Sequence, residues 1–168
     1  MARSTADSPR GVGTLISLLL HFPEMLRVGY DSRYQVLRIS LYSDGATRQS
    51  FQAIRGQLKE ALKAFFRLER RRPERWHLTY RSLGRPSVLE ITRDVASLTW
   101  EEIILIFEVL RLGMGDQLLT EPDEASLGDG FEAPEPVIEE MLNHLRRDEE
   151  VRNLLAWREA GRLLVFHK

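Results

Sequence analysis

A chain of 168 residues, 43% hydrophobic and 29% charged, is long enough to pack one domain around a core without covalent cross-links. It contains no cysteine, which excludes disulfides and thiolate chemistry. The formal net charge of −1 hides a division: residues 1–93 carry 17 Lys and Arg against 8 Asp and Glu, and residues 94–168 carry 7 against 17. Such asymmetry marks either a partner surface or two halves that neutralise each other in the fold. Arg outnumbers Lys 21 to 3, as expected of a GC-rich bacterial genome.

No stretch reaches the roughly 18 apolar residues that cross a bilayer, so the expectation is a cytoplasmic chain with no membrane partner. Residues 12–22 are apolar and follow Arg3 and Arg10, in the manner of a signal peptide. They contain His21, run into Pro23-Glu24 and lack a small-x-small cleavage site, so a short core helix over 14–22 is the better reading.

Residues 1–11 are small, polar and broken by Pro9, and read as a disordered tail; residues 12–168 are expected to form a single α+β domain. Met25 to Asp31 alternates, with Leu26, Val28 and Tyr30 on one side. Val36 to Ser43 alternates with Leu37, Ile39 and Leu41. The short polar link 31–35 makes the two a β-hairpin. Residues 47–70 carry Phe51, Ile54, Leu58, Ala61, Leu62 and Phe65 at helical spacing, opposite Arg48, Gln52, Arg55, Lys59 and Lys63. The basic run Arg70-Arg71-Arg72 suits the negative end of that helix, and Pro73 closes it. Trp76 to Ser82 places Trp76, Leu78 and Tyr80 on one face and His77, Thr79 and Arg81 on the other. After a turn, 88–93 returns with Leu89 and Ile91 inward.

Residues 99–112 form a helix apolar on nearly every side, with only Glu101, Glu102, Glu108 and Arg111 for water, and such a helix belongs inside. Thr99 and Glu102 have the spacing of a capping box, Leu98 and Ile103 that of a hydrophobic staple, and Gly113 and Gly115 supply the stop. Hairpin then helix therefore occurs twice, 25–43 with 47–70 and 76–93 with 99–112. This predicts two successive ββα units, a four-stranded antiparallel sheet with both long helices on one face.

Residues 114–134 read as a long acidic loop: between Arg111 and Arg146 there is no Lys or Arg and there are nine Asp and Glu. Pro136 opens a further amphipathic helix that ends at Arg146-Arg147. The tail reads as a third hairpin, 153–158 with 162–167, against the competing possibility of a helix over 148–156.

No motif points to catalysis, a metal or a cofactor. HExxH, the P-loop, GxGxxG and GxSxG are all missing, and no catalytic, cofactor-binding or metal-ligating residue is assigned. His144 and Glu140, at i,i+4, could hold one side of a metal site but suit a solvent-facing pair better. The strongest local feature is a basic cluster of Arg67, Arg70, Arg71, Arg72, Arg75, His77, Arg81 and Arg85 around Trp76 and Tyr80. Arginines track phosphates and carboxylates, and aromatics stack on bases. The leading expectation is a small, non-catalytic cytosolic binding or adaptor protein, with a protein partner or a second copy of itself. The next is a nucleic-acid-binding protein that uses the arginine cluster. An enzyme with dispersed residues comes third.

Overall fold

A computed structural model describes residues 11–82, 86–120 and 135–167; residues 1–10 of the predicted N-terminal tail, Arg85 and most of the acidic stretch lie outside these residues. The elements run α1 (Val12–His21), β1 (Arg27–Asp31), β2 (Val36–Ser43), α2 (Arg48–Glu69), β3 (Trp76–Ser82), β4 (Ser87–Asp94), α3 (Trp100–Met114), a 3-10 turn (Gly115–Gln117), α4 (Glu135–Arg147), β5 (Leu154–Glu159) and β6 (Arg162–His167). The protein is α+β, with one antiparallel sheet in the order β3-β4-β2-β1-β5-β6.

The two N-terminal hairpins join along β2 and β4, from Val36 opposite Asp94 to Ser43 opposite Ser87. This is the predicted four-stranded block. The third hairpin extends the same sheet, because β5 pairs with the free side of β1, Val28 opposite Ala156. The sheet therefore has six strands rather than four. Residues 148–153 are turn and link, so the helical alternative at 148–156 is not what forms.

Side chains of one parity fill the core: Val28 and Tyr30, Leu37, Ile39 and Leu41, Leu78, Leu89 and Ile91, Leu154 and Ala156. The helices cover this face, and the other stays open. On α2, Phe51, Ile54, Leu58 and Leu62 are buried, each contributing about 1.5–3 kcal/mol by removal from water. The stripe then continues through Phe66, which packs on the core, rather than through Phe65.

Three details of α3 differ from expectation. Thr99 caps the first turn, its hydroxyl accepting from Glu102 N–H at 3.2 Å, but the Glu102 side chain does not reach back. It is wholly buried against Arg93, and the acceptor at the helix start is instead Glu139 of α4, which takes the Trp100 N–H at 2.6 Å. Gly113 is not the stop. The helix continues to Met114 and ends at Gly115, the second of the two expected stops, whose positive φ of 53° with an extended ψ is a conformation that glycine adopts at low cost. At Gly113 a Cβ would fall 2.0 Å from Ile54 Cδ1, so this glycine makes room for a side chain of α2. Leu112, expected inside, is 86% exposed.

The acidic loop also begins later than expected. Beyond the 3-10 turn, Leu118 bridges Ser43 and Leu119 N–H donates to Tyr42 O at 2.9 Å, so this segment pairs with the end of β2 that β1 does not reach. No described helix is long and apolar enough to cross a membrane.

Candidate functional site

The cationic face of α2 and the edge strand β3 enclose a groove. Thr47 and Ser50 start the helix with a capping box, each side chain accepting from the other's backbone N–H. From there Arg48, Arg55, Lys59, Lys63 and Arg67 recur at a step of seven residues and then steps of four, the spacing that puts side chains in one row. The helix stops at Arg70, which has φ 51°. Arg71 N–H donates to Phe66 O at 3.1 Å, and Arg70 N–H to Arg67 O at 3.4 Å. A glycine normally fills this left-handed position, so the arginine there carries a backbone cost.

Two cavities form the groove. The end cavity, about 870 Å³, is lined by Lys59, Leu62, Lys63, Phe66, Arg67, Arg70, Arg71, Arg72, Pro73 and Trp76. The side cavity, about 620 Å³, runs along β3 and is lined by Arg48, Phe51, Gln52, Arg55, Lys59 and residues 76–80. Lys59 and Trp76 belong to both, which makes the groove continuous. It presents eight Lys and Arg side chains and no carboxylate. Among the described residues, none of the eight is in an ion pair.

The strand supplies a second kind of contact. Asp94 N–H donates to Arg75 O, and the register sets Trp76 opposite Arg93 and His77 opposite Thr92. Hydrogen-bonded pairs alternate along an antiparallel ladder. The backbone groups of Trp76, Leu78 and Tyr80 therefore point away from β4, toward the sheet's open edge. Tyr80 is itself committed: its hydroxyl donates to Ala46 O at 3.0 Å and its ring stacks on Phe51 at 5.0 Å between centroids. The Trp76 indole N–H is buried with no hydrogen-bond partner among the described residues.

Behind the end cavity lies a buried ionic cluster. The Arg93 guanidinium sits 5.6 Å from the Phe66 ring centroid and donates twice to Glu102, both at 2.6 Å. It also pairs with Asp94 and donates to Ser97 Oγ at 3.0 Å. Burial pushes the Glu102 carboxyl above its ordinary range, and the hydrogen bonds and charge of Arg93 only partly offset this. Burial acts the same way on Asp94, but bonds from the Ser97 hydroxyl and the Arg75 N–H, with the charge of Arg93, win and hold it below its ordinary range. Arg93 has the parity of Leu89 and Ile91, so strand alternation points this cation into the core.

The predicted basic cluster divides three ways. Arg67, Arg70, Arg71 and Arg72 meet in the end cavity, and His77 lines the side cavity. Arg75 turns away and lies over the Tyr34 ring at 4.8 Å, while Arg81 pairs with Glu90 across the open sheet face at 3.6 Å. Lys59, Lys63 and Phe66 are site residues the sequence-based cluster leaves out, although the first two share its row on α2. His144 pairs with Asp148 at 3.2 Å rather than with Glu140. Among the described residues no three His, Asp or Glu side chains are grouped as a metal would need.

The fold and groove define the chain as an α+β protein with an antiparallel sheet, one edge of which is flanked by unpaired cations. No protein-family model matches it, and comparisons with curated proteins and with solved structures give no match.

Proposed function

We propose that this chain is a protein-binding module whose groove takes an extended acidic segment of a partner, laid along β3 as an added strand. The observation that carries this reading is the coincidence of an open strand edge with a wall of cations that holds no carboxylate. Main-chain hydrogen bonds from a partner strand to Trp76, Leu78 and Tyr80 supply affinity without regard to sequence. Acidic side chains opposite Arg48, Arg55 and Lys59 supply selection. Exposed ion pairs contribute only about 0.2–1 kcal/mol each, so several must act together with the backbone bonds. An affinity in the micromolar range, about −8 kcal/mol, is the expected scale. The sequence-based expectation of a cytoplasmic setting belongs to this proposal.

The test is fluorescence anisotropy of a labelled acidic decapeptide, with a copy N-methylated at alternate residues and a single-stranded oligonucleotide as comparators. Alternate methylation leaves every charge but removes the donors that a β-ladder needs. The unmethylated peptide is expected to bind at least tenfold more tightly than the methylated one. Equal binding of the two peptides sinks strand addition. An oligonucleotide that outcompetes both moves the nucleic-acid reading into its place.

A further inference from the structure

The end cavity has the features of a ligand site in its own right. We infer that it binds a nucleoside polyphosphate, with the base against Trp76 and Phe66 and the phosphates among Arg67, Arg70, Arg71 and Arg72. At about 870 Å³ it falls within the range of small-molecule pockets, which combine an apolar body with a few convergent polar groups. Its apolar part is short, built from Leu62, Phe66, Pro73 and Trp76. That suits a flat ring better than a long acyl chain, and aromatic walls accept any base by its π-face.

Its charge is one-sided. The four arginines lie within six residues of one another in the chain, line one cavity and have no ion-pair partner among the described residues. Guanidinium groups in that number suit a ligand with several phosphoryl oxygens, because each can donate in a two-pronged fashion. The cavity lies at the C-terminal end of α2, where the helix dipole disfavours anions by the equivalent of about half a charge. The four cations outweigh that, and the Phe66 and Arg67 carbonyls at this end already accept from Arg71 and Arg70.

A further observation points the same way: Arg70 occupies a left-handed position at which glycine would be free of strain, yet it lines the cavity. This site adjoins that of the peptide reading and shares Lys59 and Trp76 with it, but its four arginines are not among the residues the peptide needs.

The experiment is titration of the full chain with ATP, adenosine and inorganic tripolyphosphate at low salt, followed by tryptophan fluorescence and by calorimetry. ATP is expected to change the fluorescence with a micromolar dissociation constant that weakens as salt rises. Tripolyphosphate should bind about tenfold or more weakly, and adenosine more weakly still. Trp76→Phe should abolish the fluorescence change, although Trp100 and Trp157 still emit, while a calorimetric signal persists because a ring that can stack on the base is kept. The Arg70→Ser, Arg71→Ser double variant should lose ATP while keeping the acidic decapeptide. No response to ATP up to about 1 mM overturns the inference, as does tripolyphosphate binding as tightly as ATP. Peptide binding without ATP binding removes this site and leaves the groove along β3 untouched.

Discussion

The two edges of the sheet solve the same problem in opposite ways. At one end β3 carries unpaired backbone groups beside a helix that lines them with cations. At the other end β6 has Arg162 as its sole Lys or Arg, and its open-face residues Leu164 and Phe166 are 36% and 57% exposed. They stand directly opposite Trp157 and Leu155 on β5, which makes one apolar patch beside an unpaired strand. Like charge opposes pairing of a second copy at β3, whereas β6 has little charge among the described residues to do the same. The charge asymmetry of the sequence thus takes physical form at the β3 edge. The acidic residues of the C-terminal half do not neutralise it, at least through ion pairs among the described residues.

The contrast reaches into the core and can be broken from there. The β3 end rests on the buried Arg93–Glu102 ion pair, while at the β5–β6 end apolar contacts surround Arg158, which donates to Met25 O at 3.2 Å. Glu102→Ala should therefore have the largest effect, because it strips buried Arg93 of its two-pronged carboxylate partner and leaves Asp94 as the carboxylate still paired with it. A loss of about 3–5 kcal/mol is expected in denaturant unfolding, with hydrogen-exchange protection falling first in β3 and β4. A loss below about 1 kcal/mol would show that Arg93 swings out to water. Arg70→Gly separates stability from binding at the same end. Relief of the left-handed position, about 1–2 kcal/mol, is partly offset by the greater freedom of glycine in the unfolded chain, about 0.4–1 kcal/mol, so a net gain of up to about 1 kcal/mol is expected while affinity for a polyanion falls. A variant that gains stability and keeps its affinity would remove Arg70 from the site. The smallest change in stability, within about 0.5 kcal/mol, is expected for Phe166→Glu at the opposite edge. Its effect should show instead in sedimentation. The unmodified chain is expected to associate weakly with rising concentration through β6, and the variant to remain monomeric. A wild-type chain that stays monomeric at every concentration would mean that the apolar edge is harmless in practice.

Much of this was legible from the residues. Period-two alternation placed β2 and β3 at their observed ends, and the start of α3 followed from Thr99. Strand pairing within each hairpin is local and therefore readable. The addition of β5 to β1 is not, since it depends on which edge the first four strands leave free. Gly113 was misread as a helix stop for a related reason: the atom it makes room for is on Ile54, in another helix. Glu102 has the spacing of a capping residue, and burial against Arg93 overrode that local preference. The parity of Arg93 with Leu89 and Ile91 was a signal that an inward cation needed a buried partner, but which carboxylate answers it is a matter of packing. At the site, the arginines near the end of α2 were visible as a cluster. A linear sequence could not show that Arg75 and Arg81 leave it, or that Phe66 rather than Phe65 forms its floor.

The pairing of β1 with β5 also sets the timing of folding. β1 has β2 on one side almost as soon as it is made, but its other side waits for a strand from near the far end of the chain. During synthesis the first four strands can assemble with α2 and α3 while β1 still shows an open ladder. The sheet closes over that edge only after Leu154 to His167 have left the ribosome. Contacts so distant in sequence are slow to form, and the waiting edge is apolar on one face. Until β5 arrives, the uncovered side of β1 is a place where another chain could pair.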